Sequence, residues 1–165
     1  MKQKIRKYIK EIIIFVLIVV VASNAISIYR SGDLNKAPLQ LSTVTLSDNT
    51  QYTIDKSKPI LIYFWATWCP VCKVTGPNIQ RVSEDFQVLS IATQSGSNQE
   101  IKSYLEKHGL NYKVINDHDG SLANHIGINM FPTTIIYDTN QDVIFSDVGY
   151  SSTWSLKLKM IWAKF

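Results

Sequence analysis

Two cysteines are the only thiols in this chain of 165 residues, and they stand at Cys69 and Cys72, two residues apart. Such a pair can close a structural disulfide, offer two soft ligands to a metal, or shuttle an electron pair by thiol–disulfide exchange. A loop this small constrains the unfolded chain little, so a purely structural bridge is a poor fit. A metal site needs more ligands than two thiolates. His108, His118 and His125 are scattered, and none lies near Cys72 in sequence. Exchange is the favoured chemistry, and copper or zinc binding stays as the alternative.

The elements around the pair support exchange. Ile60 to Phe64 is apolar and β-prone, which predicts a buried strand. Val74 to Phe86 reads as a helix. A Cys-x-x-Cys at such a junction puts Cys69 at a helix N-terminus, where free N–H groups and the positive dipole end stabilise a thiolate. Cys69 is expected as the exposed nucleophile. Cys72, one turn on, is expected as the buried resolving thiol that attacks a mixed disulfide on Cys69. Pro70 has no backbone N–H, so it removes one donor to the thiolate and stiffens the turn. Trp68, beside the nucleophile, is expected to shield the site and contact substrate, whereas Trp65 reads as a core aromatic.

The charge distribution points to a membrane rather than to nucleic acid. The net charge is +4, and residues 1–11 alone carry Lys2, Lys4, Arg6, Lys7 and Lys10 against Glu11. Beyond residue 29, twelve Lys and Arg balance twelve Asp and Glu, so the remainder is neutral. Ile12 to Tyr29 is 18 residues without a charge, the length of a short membrane-spanning helix. Five positive residues ahead of it predict a cytoplasmic N-terminus and an extracytoplasmic remainder. A cleaved signal peptide is the competing reading, with small residues at Ser23-Asn24-Ala25. Either way the compartment is oxidising. The expected organisation is a cytoplasmic basic segment 1–11, an anchor 12–29, a linker 30–38 and one domain 39–165.

Within that domain, Leu39 to Leu46 and Gln51 to Ile54 alternate around a turn and predict a hairpin. Gln87 to Thr93 predicts a second buried strand. Ser97 or Asn98 is set to cap a helix over Gln99–His108, which Gly109 stops. Tyr112–Ile115 reads as a short strand and Ser121–Ile126 as a short helix ending at Gly127. Thr133–Tyr137 and Val143–Asp147 read as an antiparallel pair. Ser151–Lys164 reads as a last helix, with Trp154, Leu156, Leu158, Ile161 and Trp162 supplying apolar contacts. Asp117, Asp119 and Asp138 read as turn formers, and the histidines as surface or turn residues. The order predicts an α/β fold with a central mixed sheet and helices on both faces.

Residues 39–165 resemble the thioredoxin superfamily. Phe64 to Lys73 resembles its active-site segment, Pro77 its helix-kinking proline, Phe131-Pro132-Thr133-Thr134 its cis-proline loop and Gly149 the glycine after its last strand. Asn116 to Gly120, on through Pro132 and Asp138, is similar to the membrane-anchored TlpA/DsbE-like branch. Trp68-Cys69-Pro70-Val71-Cys72 most resembles the proteins named for suppression of copper sensitivity. The resemblance implies a thioredoxin-like fold behind one transmembrane helix. It implies a protein disulfide oxidoreductase with Cys69 and Cys72 as its redox-active disulfide. Trp68, Pro70, Phe131 and Pro132 would support the active site, with Pro132 cis and a substrate strand pairing beside Phe131. No cofactor or metal is implied. Protein thiols and disulfides would be the substrates, and a membrane or periplasmic redox partner would turn the pair over. Copper tolerance or cytochrome c maturation would be the setting, with a copper-binding module lacking exchange activity as the alternative. Two positions depart from the pattern: Tyr63 stands where thioredoxin buries an Asp, and Thr75 where TlpA/DsbE-like reductases often carry a Glu. A buried carboxylate opposes a nearby thiolate, so its replacement predicts a pair less reducing than thioredoxin's.

Overall fold

The computed structural model describes residues 8, 10–15, 18 and 41–165. The chain divides into two units, Met1–Gly32 and Asp33–Phe165. In the first, residues 8, 10–15 and 18 have helical backbone. Most of the expected anchor 12–29, the linker 30–38 and residues 39–40 lie outside the described residues. Among the described residues no helix is long and apolar enough to cross a membrane.

The second unit is organised on β3 (Ile60–Trp65), every residue of which is buried. It pairs in parallel with β4 (Gln87–Thr93) and antiparallel with β6 (Thr133–Tyr137). β5 (Val114–Asp117) extends the sheet beyond β4, and β7 (Val143–Val148) extends it beyond β6, giving the order β5-β4-β3-β6-β7. Two parallel and two antiparallel pairings make the sheet mixed. β1 (Thr43–Thr45) and β2 (Gln51–Thr53) form a separate hairpin. Its strand pairing covers Thr43–Thr45 and Gln51–Thr53, within the expected stretches, and Leu46 and Ile54 at its two ends are buried in the core.

Strand alternation on β3 builds two cores. Leu61, Tyr63 and Trp65 face α1 (Pro70–Ser83), α2 (Asn98–Lys107) and α4 (Thr153–Trp162). Ile60, Ile62 and Phe64 face the other way, toward the hairpin and α3 (Ser121–Ile126). Each fully buried large apolar side chain contributes about 1.5–3 kcal/mol, so β3 with both faces covered is a rigid platform for the loop that leaves Trp65.

Three expectations need correction. The helix expected at Val74–Phe86 spans Pro70–Ser83: proline's fixed φ suits the first helical position, and Phe86 lies beyond the end, packed on the core. The strand expected at Tyr112–Ile115 lies at Val114–Asp117, paired to Ser90–Thr93, while the Tyr112 ring turns into the aromatic core. Of the residues expected to pack the last helix, only Leu156 does, joined in the core by Met160 and Ala163, while Trp154, Leu158, Ile161 and Trp162 are exposed. The N-terminal end of that helix is tied to α1 by Asn78, whose Nδ2 donates to the Ser151 carbonyl at 3.0 Å and whose Oδ1 accepts from Thr153 Oγ1 at 3.0 Å.

Candidate active site

The chain leaves the C-terminal end of β3 and enters α1 within four residues. Cys69 is the N-cap, with extended φ −87° and ψ 114°. Its Sγ accepts the backbone N–H of Cys72 at 3.1 Å, and the two sulfurs are joined in a disulfide with Cα atoms 5.2 Å apart. Pro70 occupies the first helical position and Cys72 the third. No acidic residue stands in the first turn of α1. The positive end of the helix is therefore not neutralised by a carboxylate of its own, the condition under which an N-terminal thiolate is stabilised.

Behind the pair lies an aromatic wall. The Tyr63 hydroxyl donates to the Cys72 carbonyl at 3.3 Å. Its ring stacks on Trp65 and meets Tyr112 edge-on, with centroids 6.4 and 6.2 Å away. Trp65 Nε1 donates to Ser90 Oγ at 3.2 Å, and its ring also packs on Tyr104, so Trp65 is a core aromatic, as expected. Burial above all, then the neighbouring Tyr112 and Tyr104, pushes the Tyr63 hydroxyl far above its ordinary 10.0. Burial does the same to Tyr112. Thr75 is fully buried, and its Oγ1 donates to the Val71 carbonyl at 2.9 Å. The two departures, Tyr63 from the thioredoxin pattern and Thr75 from the TlpA/DsbE-like one, thus place neutral hydroxyls behind the disulfide, each spent on a helix carbonyl. A third hydroxyl, Thr134 Oγ1, belongs to the residue opposite Tyr63 in the sheet and is buried without a partner.

In front stand three loops from the ends of β3, β4 and the strand-ward approach to β6. Trp68 is 60% exposed. Its Nε1 donates to the Gln94 carbonyl at 3.1 Å, and its ring meets Phe131 edge-on at 5.8 Å. Gln94 has left-handed backbone, φ 46°, and its own N–H donates to the Asp117 carbonyl. The Thr67 N–H donates to Ser95 Oγ at 3.0 Å. The Phe131–Pro132 peptide is cis, and the Pro132 carbonyl accepts the Gly149 N–H at 2.8 Å.

The site thus gathers Cys69, Cys72, Trp68, Pro70 and, through its contact with Trp68, Phe131 with Pro132. The exposure of the nucleophile differs from expectation. Cys69 is only 5% exposed, against 2% for Cys72; the accessible surface belongs to Trp68, Val71 and Val74 around it. Gln94 and Ser95, which brace the loop ahead of Cys69, carry no motif, and only their place after a buried strand hinted at them. His118 hydrogen-bonds the Gly96 carbonyl on the surface, and His108 that of Tyr104. Asp117 is more than a turn former: its buried carboxylate accepts the N–H groups of Leu122 and Ala123 and the Thr93 hydroxyl. Among the described residues no group of three or more His, Cys, Asp or Glu is placed to hold a metal ion.

A Cys-x-x-Cys disulfide capping a helix, on a five-stranded mixed sheet and beside a cis-proline loop, defines a thiol–disulfide oxidoreductase of thioredoxin-like fold. The chain belongs to the AhpC/TSA family, whose model matches residues 33–146. It is similar to a thioredoxin-like protein of Haemophilus influenzae, 31% identical over 98% of each chain. It is also 27% identical to the thiol:disulfide interchange protein DsbE of Escherichia coli, over 68% of this chain and 62% of that one. The crystal structure of a thioredoxin-family thiol:disulfide interchange protein from Chlorobium tepidum has the same fold, with a TM-score of 0.66 over 78% of this chain and 97% of that one, at 23% identity.

Proposed function

We propose that this chain is a membrane-anchored, extracytoplasmic oxidoreductase that exchanges disulfides with protein substrates through Cys69 and Cys72. The observation that carries the proposal is the disulfide at the N-cap of α1, with Sγ of Cys69 hydrogen-bonded to a helix N–H. In the reduced enzyme the Cys69 thiolate attacks a substrate disulfide. A mixed disulfide forms, and one substrate sulfur leaves as a thiolate. The Cys72 thiolate then attacks Sγ of Cys69, the mixed disulfide breaks, and the second substrate sulfur leaves. Two electrons pass to the substrate, and the enzyme is left oxidised. A dithiol of a membrane or periplasmic redox partner restores it by the reverse steps. Trp68 and Phe131 form the wall against which a substrate strand lies, Pro132 keeps the backbone beside Cys69 open, and Pro70 stiffens the cap.

The compartment rests on the N-terminal sequence. Residues 1–11 are the cytoplasmic basic segment, 12–29 the single-pass anchor in the inner membrane, 30–38 the linker and 39–165 the catalytic domain facing the periplasm or extracytoplasmic space. In support, Ile12, Ile13, Ile14, Phe15 and Ile18 are exposed on helical backbone. The physiological setting is thiol maintenance outside the cytoplasm, of the kind that copper tolerance and cytochrome c maturation demand.

Replacing Cys72 with Ser tests the roles. The variant should lose steady-state exchange and accumulate mixed disulfides between Cys69 and protein partners, whereas Cys69→Ser should trap none. Absence of any trapped partner, with insulin left unreduced by the wild type, would refute the proposal.

A further inference from the structure

The last helix has two apolar faces. Leu156, Met160 and Ala163, spaced i, i+4, i+7, are buried against the sheet. At 3.6 residues per turn, Trp154, Leu158, Ile161 and Trp162 form a second stripe, i, i+4, i+7, i+8, on the opposite side. Trp154 is 79% exposed and Trp162 74%; Leu158 and Ile161 are exposed too, and Phe165, just past the helix, lies fully open. Aromatic side chains present about 150–250 Å² each, so the stripe is on the order of 500 Å². That is as large as the largest apolar patch of a typical monomer, about 300–600 Å².

The flanking lysines do not interrupt it. Lys157 is turned back to Asp85 at 2.5 Å. Lys159 pairs with Asp147 at 2.5 Å, and its Nζ lies 5.7 Å from the centre of the Phe145 ring. Lys164 sits 5.2 Å over Phe86. Each ammonium is held by the domain, leaving an uncharged strip with a tryptophan near each end. Tryptophan, with an apolar body and one N–H, is the side chain enriched at membrane–water interfaces.

The length of chain ahead of the domain bounds how far this strip can lie from the bilayer. Residues 30–40 at full stretch reach about 40 Å, and a domain of this size is about 35 Å across. A domain tethered so shortly to a span ending at Tyr29 stays within about its own width of the bilayer. We infer that the Trp154–Leu158–Ile161–Trp162 stripe of α4 is a membrane-docking face, seated in the interfacial region of the bilayer that anchors the chain. The inference rests on the anchored reading of residues 12–29.

The test reconstitutes the full-length protein into vesicles of phosphatidylcholine and phosphatidylglycerol whose acyl chains are brominated. Flotation reports the anchor, and quenching of tryptophan fluorescence reports the stripe. The expected result is flotation with a quenchable component that vanishes in a Trp154→Phe/Trp162→Phe variant. Leu158→Glu, at an exposed position, should keep flotation and thiol exchange but lose most of that quenching. Flotation without a quenchable component from Trp154 and Trp162 overturns the docking face and leaves the anchor standing. Failure to float overturns the anchored reading and the docking face with it. Lipid nanodiscs carrying one copy separate the other occupant: quenching there supports the bilayer. Protection of the two tryptophans only in discs carrying two copies would assign the stripe to a second chain and overturn the inference.

Discussion

Cys69 and Ser97 hold the same place in two helices of one domain. Each is the N-cap, each has extended backbone, and each side chain accepts the N–H of the residue three positions on, Cys72 at 3.1 Å and Glu100 at 3.3 Å. The difference lies in what that third residue returns. On α2, Glu100 reaches back to the Ser97 N–H at 2.7 Å, a reciprocal capping box that sets a carboxylate on the positive end of the helix. On α1 the third residue is Cys72, and it returns a covalent bond to the cap instead. One N-terminus is satisfied permanently. The other is satisfied in a way that chemistry can open, and opening it leaves a thiolate where α2 keeps a carboxylate. The same local device serves stability on one helix and redox poise on the other because α1 carries no acid of its own.

Putting an acid on α1 should undo that division. The largest effect is expected from Thr75→Glu, which buries a carboxylate near the pair. A charge at that range shifts a pKa by about 1–3 units, upward when it is of like sign, so the potential should become more reducing by about 30 mV or more. Redox equilibration of the variant checks this, with circular dichroism to show that the fold is kept. Val71→Glu, at an exposed first-turn position, competes for the helix dipole, which is worth about 0.3–1 kcal/mol. Cys69 should then titrate higher by about 0.2–0.7 unit and the potential fall by about 5–20 mV. Thiolate absorbance against pH reads the first and glutathione equilibration the second.

The smallest effects belong to α2 and should leave the potential alone. Ser97→Ala removes a cap worth about 1 kcal/mol and should lower Tm by about 3–5 °C. The Ser97 N–H, then its hydroxyl, holds the Glu100 carboxyl below its ordinary 4.5. A depressed folded pKa gives stability that is present above the unfolded value and lost as pH falls through the folded one. The Tm advantage of wild type over Glu100→Gln should therefore shrink as pH drops from about 5 toward acid. A drop in potential on removing Ser97 would break the comparison.

Much of the fold is readable in the residues. β4 runs over Gln87–Thr93 as its apolar run predicts, Ser97 caps α2, and Gly127 ends α3 in left-handed backbone. Those signals are local: burial on both faces, a hydroxyl before a helix, a residue free to take positive φ. The parts that are not legible depend on contacts far apart in sequence. Asn78 is a polar residue in mid-helix, and its partners lie beyond β7. Periodicity on α4 marks two apolar stripes alike, and only the tertiary fold decides that Leu156 and Met160 face inward while Trp154 and Trp162 do not. The wall behind the disulfide needs Tyr63 from β3, Tyr104 from α2 and Tyr112 from the loop between α2 and β5. Apolar periodicity alone starts α1 late, at Val74, because Pro70 and the cysteines break the pattern while suiting the cap; the Cys-x-x-Cys spacing is what puts Cys69 at the helix N-terminus.

Cys69 caps α1 with no acid in the helix's first turn and with the neutral hydroxyls of Tyr63 and Thr75 behind the pair, so neither place opposes its thiolate. Equilibrating the full-length protein in detergent with graded glutathione buffers tests it most directly. The midpoint should be clearly less reducing than the value of about −270 mV typical of thioredoxin. A midpoint at or below that value would contradict it.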